Sequence, residues 1–142
     1  MLLLEIEDQV KHCFDIVQHA VSLRVALSQP LTRSTMGFIV PIAERPNDNA
    51  RDVDVGSPLQ EVLITFGVVT AIQSINDKTG AKTAERLEKI REDIRQALYG
   101  YKPQEHEPVL IGASDLLQFV NGGLFWVDRF TTRIWRSGCD HV

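Results

Sequence analysis

This chain of 142 residues predicts an α+β fold: a mostly antiparallel sheet of about four strands with two amphipathic helices packed on one face. Three observations point there. Two segments repeat apolar residues at three- and four-residue steps, the spacing of one helix face. Three runs alternate apolar and polar residues, the spacing of a half-buried strand. Asn121-Gly122-Gly123 precedes the last of those runs, a turn that joins it to Asp115–Asn121 as an antiparallel neighbour. Strands joined mostly antiparallel, with two helices to cover them, give one sheet and one helical layer.

Leu3, Ile6, Val10, Cys13, Phe14, Val17 and Val21 form the first stripe, so one helix is expected from Leu3 to Val21. From Leu23 to Thr35 the pattern is irregular and Pro30 interrupts it, which reads as a short strand or loop. Met36 to Ala43 alternates through Phe38, Val40 and Ile42, with Pro41 marking an edge or a bulge. Glu44 and Pro46 stop that run. Residues 44–59 then read as a long, flexible, charged connection, and loops of this length are usually functional.

The clearest strand is Gln60 to Ile75, where Val62, Ile64, Phe66, Val68 and Ile72 alternate with Glu61, Thr65, Gly67, Ala71 and Gln73. Gly67 marks a bulge or a close backbone approach. After the turn at residues 76–80, Thr83 opens a second helix with a partial cap, because Arg86 stands where a capping box needs Glu. Its stripe is Leu87, Ile90, Ile94, Ala97 and Leu98; Glu85 and Lys89 lie at contact spacing on the outer side. A polar linker, Gln104 to Pro108, leads to Val109-Leu110-Ile111 and to a hairpin of Asp115–Asn121 and Leu124–Arg136. Trp126, Phe130 and Ile134 share one face of its second strand, and Arg129, Arg133 and Trp135 the other. The second sheet face keeps Val69, Phe125, Val127 and Trp135, enough exposed apolar surface to predict an interface. Residues 137–142 read as a frayed tail, and 1–142 as a single domain.

A formal charge of −4 and a pI near 5.5 argue against general affinity for nucleic acid, which rests on lysine and arginine neutralising phosphates. Met1-Leu2-Leu3-Leu4 is followed at once by Glu5, Glu7 and Asp8, so neither a secretory signal nor a membrane span is expected. Cys13 and Cys139 read as free thiols of a reducing compartment, with a disulfide left open.

Catalytic groupings are sparse. His12 and His19, two turns apart on the expected helix, stand about 10 Å from each other, too far to share a metal unaided. Cys139-Asp140-His141 supplies three ligand types on a tail. Asp52 and Asp54 form a carboxylate pair in an extended segment, the basis for an alternative reading as a small metal-dependent hydrolase. Ser34 and Thr35 lack a histidine that the sequence could bring to them. Arg129, Arg133 and Arg136, interleaved with Trp126 and Trp135, suggest a nucleic-acid-binding module as a second alternative. A charged edge strand guarding against stray pairing accounts for them equally well.

The strand through Phe66-Gly67-Val68-Val69, the helix end Ala97-Leu98-Tyr99-Gly100-Tyr101-Lys102-Pro103, and the run Gly122-Gly123-Leu124-Phe125-Trp126-Val127-Asp128-Arg129-Phe130 together resemble the tail terminator proteins of long-tailed bacteriophages. The resemblance spans roughly Met36 to Arg136. Tyr101 stands where that family often has tryptophan, keeping an aromatic plug. The resemblance implies a non-enzymatic, cofactor-free subunit that forms a ring, typically hexameric. Such a ring caps the tail tube, stops the tube protein from polymerising, and offers a surface to the head–neck connector protein. DNA passes through its lumen without specific binding, and an acidic lumen suits that passage. Assembly in the host cytoplasm and residence in the virion tail follow from the same likeness. On this reading Arg45, Asn47, Asp48, Arg51, Asp52 and Asp54 of the long connection, with Arg129, Arg133 and Trp135 of the last strand, are the expected contacts to the tube or to neighbouring copies.

Overall fold

Leu2–Val10 forms the first helix, α1, which buries Ile6 and Val10. The structure is a computed structural model that describes residues 1–47, 51–53, 57–74, 77, 79–120 and 122–137. The helix ends far short of Val21. A 3-10 turn at Lys11–Cys13 follows, Phe14 is extended (φ −132°, ψ 160°), and the chain enters strand β1, Ile16–His19. Helical spacing at Phe14 and Val17 is coincidental. β-Branched Ile16 and Val17 favour an extended chain, and the sheet supplies their backbone partners. The Phe14 ring lies on Gly37, where an added Cβ would come within 2.6 Å of it. The crossing is locked by a reciprocal pair: Asp15 N donates to Thr35 Oγ1 (3.0 Å) and Thr35 N donates to Asp15 Oδ2 (3.2 Å).

A short helix, α2 (Leu23–Leu27), occupies the stretch that reads as strand or loop. Ser22 caps it, its hydroxyl accepting from Val25 N at 3.2 Å. Strands β2 (Thr35–Pro46), β3 (Arg51–Val53) and β4 (Ser57–Ser74), helix α3 (Ala81–Leu98), and strands β5 (Leu110–Val120) and β6 (Gly122–Ser137) complete the order. The sheet runs β1-β2-β4-β6-β5, with β3 also on β4; among the described residues only the β1–β2 pair is parallel. Six described strands therefore replace the expected four. The additions are β1, taken from the overlong helix, and β3, taken from the expected loop.

Helices α1 and α3 do share one sheet face, as expected. Their stripes enclose a core with Phe66 and Phe130, whose rings stack at 5.8 Å between centroids. The opposite face differs from expectation. Val69, Phe125 and Val127 are buried with Met36, Phe38 and Ala26, under α2 and the chain that flanks it. An apolar sheet face left bare would cost about 25 cal/mol per Å², and α2 removes most of that exposure. Trp135 alone of the four stays exposed.

Gly67 is a point of close approach. Opposite it β2 has an irregularity between Pro41 and Ala43, and Ile42 folds to 2.9 Å from where a Gly67 Cβ would lie. The cap of α3 comes from outside the helix. The Asp77 carboxylate accepts from Gly80 N, Thr83 N and Thr83 Oγ1, the last at 2.7 Å. At the other end Gly100 turns with φ 82°, and its N–H donates to Val109 O at 2.8 Å.

Candidate functional site

Beyond the helix-packed core, β2, β4 and β6 run on together as a ribbon, extended by β3. Apart from Asn47, the described parts of residues 44–59 are strand rather than loop: Glu44–Pro46 closes β2, Arg51–Val53 is β3, and Ser57–Leu59 opens β4. Hydrophobic alternation fades at Glu44, Arg45 and Pro46, which are exposed on both faces, so backbone pairing rather than burial holds the end of β2. Asp48 and Asp54 lie outside the described residues. Arg51 and Asp52 sit on β3, paired with Leu59 and Pro58.

Four of the expected contact residues come together on the ribbon face that continues the α2 side of the sheet. One cross-strand row is Arg45, Leu63, Arg133; the next sets Glu61 beside Trp135. Glu61 is a nearly buried carboxylate at their centre. It accepts from Asn47 Nδ2 and lies 3.7 Å from Arg133 Nη1, while its carbonyl accepts from Asn47 N at 2.9 Å. Asn47 is further tied by its carbonyl, which accepts from Gln60 Nε2 at 2.9 Å. Arg45 is exposed and makes no ion pair among the described residues. Arg129 faces the same side but stands four residues, about 13 Å, along β6 from Arg133. It is held by Asp115 Oδ2 at 2.6 Å.

The other ribbon face opens on a groove of about 870 Å³. Ile64, Phe66 and Ile134 floor it, Leu2 and Leu3 wall it, and Glu44, Glu105 and Arg136 stand at its rim. Sequence patterning misses this site, because its floor reads as ordinary core and its walls come from three distant segments. Glu61 is legible only as a polar position at the start of the β4 alternation, next to Gln60.

The remaining candidates resolve into structural roles. His19 is on β1, not on a helix, and its Nε2 lies 2.8 Å from Glu7 Oε2. Ser34 Oγ accepts from Arg86 at 2.7 Å. Trp126 faces the helices, beneath the Arg91 guanidinium at 4.7 Å, and so separates from Trp135. Cys13 is half-buried; burial and the nearby Asp93 carboxylate push its thiol up to about 11, so it stays protonated at neutral pH. Cys139, Asp140 and His141 lie outside the described residues. Among the described residues no group of three histidine, cysteine, aspartate or glutamate side chains is placed to hold a metal ion. No helix among them is long and apolar enough to cross a membrane.

A family model described as phage tail terminator protein matches residues 5–138, a span that begins within α1 and runs past the end of β6. None of the curated proteins compared matches the chain. The family match makes this a structural protein of phage tail assembly, one that meets tail and head components in the virion. With nearly its whole length covered by that match, the chain belongs to the phage tail terminator protein family.

Proposed function

We propose that this chain caps the phage tail tube as a ring of identical subunits, ending polymerisation of the tube protein and presenting the surface on which head and tail join. The observation behind this reading is the ribbon of β2, β3, β4 and β6, which extends past the core with Arg45, Arg133 and Trp135 on one face and an apolar groove on the other. A projecting element with two dissimilar faces suits contact with a tube end and with neighbouring copies. Its strands are paired before any partner arrives, so little ordering entropy is lost on binding. The ring is proposed to be hexameric, to form in the host cytoplasm, and to pass DNA through its lumen without specific contacts. The tail tube protein and the head–neck connector protein are its proposed partners.

Replacing residues 47–61 with a two-residue Asn-Gly turn tests this, since it rejoins Pro46 and Val62, which are already paired. The shortened chain is expected to stay folded and to lose capping, so that tails grow overlong. Tails of unchanged length would contradict the role given to the ribbon.

A further inference from the structure

We infer that neighbouring copies meet ribbon to ribbon, the Arg45–Trp135 face of one seated in the groove of the next. This rests on the ring reading and names the surfaces that would make it. The two surfaces lie on opposite sides of the same strands, so the contact is front to back. Such a heterologous contact either closes into a ring or runs on as a filament. A symmetric front-to-front contact would stop at a dimer.

Charge and polarity match across it. The front face presents Arg45, free of ion pairs among the described residues, and Arg133, only loosely engaged at 3.7 Å from Glu61. The groove rim presents Glu44 and Glu105, both exposed and neither in an ion pair among the described residues. Arg136, His106 and the Met1 amino group are the basic groups of the same lining, which also holds a third carboxylate, Glu5, engaged by Gln104 N at 3.1 Å. Between the charges, Trp135, 37% exposed, is the large apolar side chain of the front face. The groove offers it an apolar floor of Ile64, Phe66 and Ile134. An aromatic anchor entering an apolar pocket, ringed by opposite charges, is the usual anatomy of a binding hot spot. The opposed charges would also fix which face meets which.

Native mass spectrometry of the full chain tests the assignment with two variants. Arg45→Glu reverses the front, and the pair Glu44→Lys with Glu105→Lys reverses the back. All three positions are exposed, so unchanged thermal melts are expected to show that both variants fold. Each variant alone should raise the concentration at which rings form by at least about tenfold. Mixed in equal amounts they should reassemble, because alternating subunits restore opposite charges at every contact: reversed where the altered front meets the altered back, and in the wild-type sense where the unaltered front meets the unaltered back. Trp135→Ala should weaken assembly as well. Wild-type rings with variants that assemble equally well would overturn the interface and leave the ring standing. Variants that both dissociate but do not recover on mixing would show that the two faces do not meet each other across the contact between copies, and would overturn it too. A wild-type chain that stays monomeric at every concentration would remove the ring reading and the inference together.

Discussion

Arg91 on α3 holds Asp128 on β6, its Nε lying 3.0 Å from one carboxylate oxygen and 3.3 Å from the other. Asp128 is a charged residue on the helix-facing side of the central sheet, at a position where alternation calls for an apolar one. Its side chain is only 5% exposed. Ser114 Oγ adds a third hydrogen bond at 2.7 Å, so the carboxylate is well satisfied. The pair therefore sets where α3 sits over β6, with the guanidinium laid over Trp126.

Breaking this pair should cost more than removing it. Asp128→Ala strands a largely buried guanidinium and is expected to destabilise by about 3–5 kcal/mol. Arg91→Met combined with Asp128→Leu should cost far less than either single change. Urea denaturation of the three variants checks this. Equal losses in single and double variants would show that an unpaired buried charge is not what makes the single changes costly.

Phe130 is 1% exposed and stacks on Phe66 at the centre of the helix-side core. Phe130→Ala is expected to cost about 3–5 kcal/mol, because the sheet and two helices cannot collapse into the space. Chemical denaturation giving less than about 1 kcal/mol would place the ring outside the core.

Asp77 caps α3, and hydrogen bonds from Thr83, above all, hold its carboxyl below the ordinary 3.8. A lowered folded pKa means that its contribution is fully present above the unfolded value and fades as pH falls through the folded one. Asp77→Ala should accordingly lower Tm at neutral pH, and the gap to wild type should narrow below about pH 3.8. A gap that widened in acid would reverse the assignment.

Legibility in the sequence follows burial. The stripe Leu87-Ile90-Ile94-Leu98 and the strands through Phe66 and Phe130 are readable, since each buries one regular face. The first helix reads too long because Phe14 and Val17 fit a helical step while packing from extended chain. Helix α2 escapes notice because five residues hold too little periodicity, although Ser22 is available as a cap signal. The ribbon looks like a loop because Glu44, Arg45 and Pro46 are exposed on both faces and leave no apolar period to read. Arg45, Asn47, Arg133 and Trp135 stand out by composition and position, yet their meeting around Glu61 depends on the β2–β4–β6 register, which no local spacing reveals.

Electron microscopy of tails assembled in the absence of this protein measures its role most directly. Termination by a cap predicts overlong tails of uneven length that fail to join heads, and restoration of uniform, head-bearing tails when the wild-type chain is supplied. Tails of normal, uniform length joined to heads without it would contradict the proposal.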